Sequence, residues 1–389
     1  MRDFVLTSSS VTDGHPDKLC DRISDAIVDA YLALDPGSLV QAECAIATGI
    51  AFLAVRAQTA AHVDLPAIVR QLVEETGYHD PDFNAQNVTV LSASTPGVAA
   101  QPCEGDGSRP GVESVSTTVF GYACRHTPQM LPLSIVLSHR LAERLRDARL
   151  RGEIPYLHPD GQVQVAVRYK DRLPEAVEGI TLFSAVEPRA QKTDHLAERL
   201  DELVVRPVLR ELSAPLSADA QIVINPHDWV SVGGPVRHAG LTGRKNDIDT
   251  YGGYSRHGGA ALSGKDPSRI DRTGAYLARY AAKNIVAAEL ARECEVQISY
   301  AIGRLEPIGI EIDTFGSNAV PEPEILHALR RAIDFDADKV TRMFNLAQLP
   351  KANEGRFFAQ LAAFGHFGRP ELDLPWERTD RVEVLQHGL

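Results

Sequence analysis

The order of periodic segments is what most constrains this chain's fold. Helix, two strands, helix, strand is written three times over. The first set opens at Asp17–Leu34, where Leu19, Ile23, Ile27 and Tyr31 share one helical face and Asp21, Asp25 and Asp29 another. Strand-like runs Val40–Ala47 and Ile50–Gln58 follow, then a helical stretch Leu65–Glu75 and a strand Val88–Leu91. The second set begins with a helix at Leu131–Leu150, whose last turns carry Arg144, Arg146 and Arg149 at the negative end of the helix dipole. Strands at Val163–Tyr169 and Ile180–Val186, a helix at His195–Leu212 and a short strand at Gln221–Ile224 complete it. The third set has an alanine-rich helix Arg272–Glu293, an alternating strand Glu295–Ile302, its partner Ile308–Phe315 and a helix Glu322–Ile333. This order predicts an α+β protein of three units with like topology, each a sheet part-covered by helices. A residual apolar sheet face is then expected to drive assembly of subunits. The repeat lies in topology only, since the three sequences are not visibly alike.

With 389 residues, 44% apolar and 24% charged, the chain has ample core for two or three domains. The net charge of −12 excludes a nucleic-acid-coating role and makes any cationic cluster local. Cys20, Cys44, Cys103, Cys124 and Cys294 show no paired or metal-ligand spacing, which predicts reduced thiols and a cytoplasmic setting. MRDFVLTSSS lacks a signal-peptide core, and no stretch has the length and apolarity of a membrane span.

The chemistry gathers between residues 240 and 271, which read GLTGRKNDIDTYGGYSRHGGAALSGKDPSRID. Arg244, Lys245, Lys265 and Arg269 are interleaved with seven glycines, a composition suited to an anion cradle built from backbone amides and cations. Asp266 and Asp271 stand among them as carboxylates that a magnesium ion shared with phosphate oxygens needs. GHPDK, residues 14–18, repeats these ingredients with His15, Asp17 and Lys18. Asp17 also suits a helix N-cap, and Asp271 a cap for the third long helix; neither role excludes metal binding. The Gly/Pro-rich run Pro96–Pro110 reads either as a lid or as a surface connection. Together these features point to an enzyme that handles a polyphosphate.

GHPDKLCDRISDAIVDA (14–30), GGPVRHAGLTGRK (233–245), DTYGGYSRHGGAALSGKDPSRIDR (249–272), ARYAAKNIVAAELARECEVQISYAIG (278–303) and FGHFGRPELDLPWERTD (364–380) resemble the S-adenosylmethionine synthase (methionine adenosyltransferase) family over nearly the full length. The resemblance implies three pseudo-threefold-related domains, here 1–100, 111–226 and 227–389, and homodimers or homotetramers with active sites between subunits. It implies attack of methionine sulfur on C5′ of ATP, loss of triphosphate and its hydrolysis, with Mg2+ and K+ as cofactors. Matching positions imply His15 near the leaving oxygen, Asp17 and Asp271 on magnesium, Glu43 on potassium, and Arg244, Lys245 and Lys265 on the phosphates, with His15, Lys245 and Lys265 as the catalytic set. Ala261 and Asp171 would contact the nucleotide, with Arg172 standing in for a lysine usually found nearby.

Several positions depart from the family pattern. Arg56 and Val115 replace the two carboxylates that hold the substrate ammonium, and VESVST (112–117) replaces GAGDQG. Gly97 or a neighbour replaces a glutamine, and Val230, beside Trp229, an adenine-stacking aromatic. His238 stands for an aspartate and Arg269 for a lysine. Arg56, His238 and Arg269 would suit an anionic substrate group, because a carboxylate-to-arginine change reverses the local charge. Three readings therefore stand: methionine as nucleophile, with Arg56 turned away; a more anionic nucleophile, or polyphosphate hydrolysis alone; or a nucleotide-binding homologue that regulates a synthase subunit.

Overall fold

A computed structural model describes residues 3–96, 116–187, 195–225 and 233–389. The Pro96–Pro110 run beyond Pro96, Gly97, Cys103, Val115, Trp229 and Val230 lie outside the described residues. In chain order the elements that frame the site are β1 (Phe4–Val11), α1 (Pro16–Leu34), β2 (Leu39–Ala47), β3 (Ile50–Gln58), α2 (Leu65–Thr76), β4 (Thr89–Pro96) and β5 (Thr117–Cys124). After them come α3 (Leu133–Leu150), β6 (Leu157–Lys170), β7 (Leu173–Val186), α4 (Leu196–Leu200), α5 (Arg206–Glu211) and β8 (Leu216–Ile224). The last part holds β9 (Gly240–Leu241), α6 (Ile270–Ala287), β10 (Glu293–Tyr300), β11 (Gly309–Asp313) and α7 (Glu322–Ala332).

The fold is α+β, as the element order predicts, but each sheet borrows a strand. The sheet orders are β9-β2-β3-β4, β1-β6-β7-β8 and β11-β10-β5. Thus β1, which precedes α1, pairs antiparallel with β6, as Phe4 opposite Tyr169 through Val11 opposite Gln162. Strand β5, which precedes α3, pairs with β10, and β9, which precedes α6, pairs with β2. The repeating unit therefore begins with a strand that the element reading omitted. FVLTSSSV and TTVFGYAC carry too many small polar residues for a clean period-two signal. Gly121 sits in β5 where a Cβ would lie 1.9 Å from the Ala278 carbonyl carbon of α6, so helix and strand touch through backbone.

The central strands start earlier than expected, at Leu157, Leu173 and Leu216, and two helices change. The helix expected at His195–Leu212 is split into α4 and α5 by a π-helical turn, Asp201–Val205. The alanine-rich helix stops at Ala287 rather than Glu293, because Glu289 takes a positive φ of 64° and Glu293 enters β10.

The apolar side chains form two cores rather than three. One joins α1, α2 and the β2–β3 sheet to α6, β5 and β10; the other lies between α3, α4, α5 and the β6–β7 sheet. Segment 364–380 clamps α6 in the first: Trp376 stacks on Tyr276 at 3.8 Å, and Glu377 accepts from Arg279 and Lys283. Strands β2 and β3 alternate strictly, with Val40, Ala42, Cys44, Ile46, Ala51, Leu53 and Val55 buried beneath α1. Their other face leaves Ile50, Phe52 and, on β4, Leu91 close to half exposed. Cys20, Cys44, Cys124 and Cys294 are buried free thiols, and no helix among the described residues is long and apolar enough to cross a membrane.

Candidate active site

The glycine-rich region is an edge strand interrupted by a loop. Gly240 and Leu241 pair with Ile46 and Ala45, and the Thr242 N–H donates to the Cys44 carbonyl at 3.0 Å. The chain then leaves, and returns to the same edge: the Ala42 N–H donates to the Gly264 carbonyl at 2.8 Å and the Asp266 N–H to the Val40 carbonyl at 3.0 Å. Residues 243–263 are thus an excursion hinged at two points on β2. Both hinges are left-handed glycines, Gly243 at φ 80° and Gly264 at φ 79°. A Cβ on Gly264 would stand 2.0 Å from the Ala42 carbonyl oxygen, so no other residue closes this edge without displacing backbone. Ala261 packs against Gly243, where a Cβ would lie 2.5 Å away.

Helix α1 holds that excursion from below. Its N-cap is His15, whose Nδ1 accepts the Asp17 N–H at 3.2 Å, with Pro16 at the first helical position. Aspartates then recur every four residues on one face. Asp17 accepts the Leu241 N–H, Asp21 the Gly243 N–H and Asp25 the Gly264 N–H, at 3.0, 2.8 and 2.8 Å. Asp29 accepts from Phe358 and Ala359 at 2.9 Å each. The apolar/acidic division of this helix had the form of a core face and a solvent face. The structure instead buries both, with Asp21, Asp25 and Asp29 fully enclosed.

Buried charge needs a partner. Arg272 grips Asp25 with two bonds of 2.6 and 2.7 Å, and neither side chain reaches solvent. Lys18 donates to Asp21 at 2.9 Å and also contacts Asp249. Burial pushes Asp21 and Asp25 above the ordinary carboxylate value, against the pull of Lys18 and Arg272. Asp249 is raised to about 7, chiefly by burial, and Asp29 to about 8 by burial against its two amide donors.

At the open end of this ladder lies one cationic cluster. Lys245 Nζ donates to Asp17 at 2.7 Å, and Arg244 Nη1 lies 3.7 Å from its other oxygen. Burial works to raise the Asp17 carboxyl, but Lys245 and the Leu241 amide hold it below its usual value. Burial drives His15 down to about 4, despite Asp160 and Asp17 nearby. The His238 ring sits 5.0 Å from that of His15 and its Nε2 is 2.8 Å from Asp160, a hydrogen bond that raises the His238 pKa against partial burial.

A second cluster lies further along β2. Lys265 Nζ donates to Asp271 Oδ2 at 2.7 Å, whereas Asp271 Oδ1 is buried with no hydrogen-bond partner among the described residues. Arg269 reaches Gln41 at 3.5 Å, and Gln41 donates to Glu43 at 3.2 Å. Arg56 stands opposite Gln41 on β3 and is exposed on the same outward face as Glu43. The two clusters are four β2 residues apart, Leu241 opposite Ala45 and Lys265 opposite Gln41. That is about 13 Å along a strand. No hydrogen bond or ion pair among the described residues joins them.

His15, Asp17, Arg244, Lys245, Ala261 and His238 therefore gather at one end, and Lys265, Asp271, Arg269, Glu43 and Arg56 at the other. The three suggested substrate contacts are separated, with His238 apart from Arg56 and Arg269. Asp171 belongs to neither cluster: it lies in the β6–β7 turn at φ 49°. Arg172, its neighbour, donates to Glu293 at 2.5 and 2.8 Å. Asp266 is not an open metal ligand either, since its carboxylate accepts the Val40 and Ser268 N–H groups at 2.6 and 2.7 Å. Among the participants that escaped the sequence reading are Asp21 and Asp25, although their four-residue spacing was visible, and Asp160, which had no local signal.

The open Asp271 oxygen beside a lysine suits a hard divalent ion, and Asp17 gains an open oxygen only when Lys245 moves away.

Three family models match the chain: S-adenosylmethionine synthetase N-terminal domain over 3–96, central domain over 115–229 and C-terminal domain over 232–378. The S-adenosylmethionine synthase of Synechococcus elongatus is 43% identical, covering 99% of this chain and 97% of the relative. Those of Thermosynechococcus vestitus and Trichormus variabilis are 42% and 41% identical, over 98% and 100% of this chain and 97% of each relative. Matched by all three domain models and by full-length relatives above 40% identity, the chain belongs to the S-adenosylmethionine synthetase family of enzymes.

Proposed function

We propose that this chain transfers the adenosyl group of ATP to methionine. The thioether sulfur forms a bond to C5′, the C5′–O bond breaks, and its electron pair leaves with triphosphate. Water then cleaves triphosphate to phosphate and diphosphate at the same site. The observation that carries this reading is the hinged 243–263 excursion, with Arg244 and Lys245 at its start and Lys265 just past its return hinge, each lysine resting on an aspartate. Such pairs are poised to exchange: an arriving phosphate takes the ammonium and releases the carboxylate.

His15 keeps its proton bookkeeping simple. With Nδ1 accepting from the Asp17 amide, the neutral ring carries its hydrogen on Nε2, a donor suited to the leaving oxygen. Its pKa near 4 keeps the ring neutral at pH 7. Ala261 and Asp171 are assigned to the nucleotide. When bound, Mg2+ at Asp17 and Asp271 would neutralise phosphate oxygens, and K+ at Glu43 would add local positive charge.

Two clusters about 13 Å apart on one chain form a complete site most simply across a twofold axis, where each end meets the other end of a partner. The half-exposed Ile50, Phe52, Leu91 and Leu241 supply apolar area for that contact, in a homodimer or a pair of dimers. We assign units 1–100, 111–226 and 227–389 and a cytoplasmic location on the same reading.

The test is purified protein with ATP, Mg2+ and K+, with and without methionine, followed for S-adenosylmethionine, triphosphate and phosphate. Methionine-dependent product is expected. Phosphate released without an adenosyl product would support the second reading, which the exposed Arg56 favours: a more anionic nucleophile or polyphosphate hydrolysis. No turnover with either would leave a regulatory, nucleotide-binding homologue.

A further inference from the structure

One titratable cluster is only partly accounted for by this reading, which uses His15 but neither Asp160 nor His238. His15, Asp160 and His238 each offer a ligand atom within 4.8 Å of the other two, in an arrangement built by three separate parts of the chain. His15 caps α1, Asp160 lies in β6, and His238 follows the Gly233–Gly234 turn. Asp160 is almost fully buried and is fixed by the Gly234 N–H at 2.8 Å, whereas His238 is partly open to solvent. The set thus has a rigid floor, an inner histidine and an accessible outer one.

We propose that His15, His238 and Asp160 bind a borderline divalent transition-metal ion of the Zn2+ class, at a site separate from any magnesium held by Asp17 and Asp271. Two imidazoles and one carboxylate are the donors such ions prefer, while Mg2+ prefers oxygen alone. Three protein ligands also leave a coordination position open toward solvent. Binding replaces the proton in the His238–Asp160 hydrogen bond. Their 2.8 Å separation must open to about 3.3 Å, the ligand spacing for tetrahedral bonds of about 2 Å.

His15 has the second partner that a metal-bound histidine needs. Turning Nε2 to the ion requires a hydrogen on Nδ1, which ends its acceptance of the Asp17 N–H and leaves the Asp17 carboxylate, 3.9 Å away in the ligand-free arrangement, as its partner. Because the ion would engage His15, it would compete with ATP; this last consequence alone rests on the proposed function.

Co2+ serves as the spectroscopic probe, added to the purified full-length protein in excess Mg2+. One equivalent is expected to produce the visible absorption of a low-coordinate, nitrogen-ligated ion, and Zn2+ to displace it. His238→Ala and Asp160→Asn should each weaken binding at least tenfold. His238→Asp should lose one of the two nitrogen ligands and so weaken the preference for Zn2+ over Mg2+. The partly exposed His238 keeps this test independent of folding, and far-ultraviolet circular dichroism of each variant checks it. Absence of a one-equivalent spectrum, or Co2+ binding unchanged by His238→Ala, would overturn the proposal whatever the protein's activity on ATP.

Discussion

Asp25 and Asp17 are two rungs of one helix, eight residues apart, and each holds a cation, Arg272 from the first turn of α6 and Lys245 from the glycine-rich region. Asp25 and Arg272 are sealed from water; Asp17 and Lys245 sit where the ladder meets solvent. The inner pair cannot be exchanged for a ligand without unfolding, so it serves as an anchor for the Gly264 hinge. In the proposed reaction the outer pair trades its carboxylate for a phosphate. Depth along α1 therefore separates structure from chemistry, although the residue types are the same.

Removing the inner rung should have the largest effect. Asp25→Ala leaves Arg272 buried and unpaired, at a cost of about 3–5 kcal/mol in chemical denaturation. A loss as small as that of an exposed pair would erase the distinction between the rungs. Lys245→Ala and Lys265→Ala should instead lower kcat about 10²- to 10³-fold with little change in Tm. If their clusters meet across a subunit interface, co-expressing the two variants should return about a quarter of wild-type activity, since half the dimers are mixed and each regains one intact site. No recovery would place both clusters in a site formed by one chain.

The hinges offer a gentler probe. Gly264→Ala forces a side chain into left-handed backbone against Ala42 and should cost about 1–3 kcal/mol. Gly259→Ala, where nothing lies within 4 Å, should change stability by less than about 0.5 kcal/mol. Acidification sharpens the comparison further. His15, His126 and His139 are held by burial near 4, 4 and 3, below the ordinary 6.5. The unfolded chain therefore binds protons that the folded chain excludes, and stability falls as pH drops from about 6.5 toward 4. His139→Gln should make denaturation midpoints less steeply pH-dependent over that window; an unchanged slope would exclude His139 as a source. The smallest effect is expected from Arg56→Glu on the exposed sheet face, roughly a two- to fivefold fall in KM for methionine. Unchanged kinetics would remove Arg56 from the specificity argument.

Much of this was legible before folding. Strict alternation marked β2 and β3, and glycines among cations marked the segment that leaves β2 and returns to it. The missing strands β1 and β5 were not legible, because FVLTSSSV and TTVFGYAC earn their pairing from another unit's sheet rather than from their own pattern. The same holds for Asp160, which becomes significant only when β6 brings it to His15 and His238. Arg172 shows a related effect: its ion pair with Glu293, distant in sequence, was not legible either.

By itself the sequence determined the helix and strand periods, the glycines that permit left-handed hinges, and the stock of cations and carboxylates. These are local properties, fixed by side-chain shape and spacing. Only tertiary structure decided which strand joined which sheet, which aspartates were buried with a cation and which stayed exchangeable. Those outcomes depend on contacts between residues hundreds of positions apart, and on how much water the surrounding chain leaves around each charge.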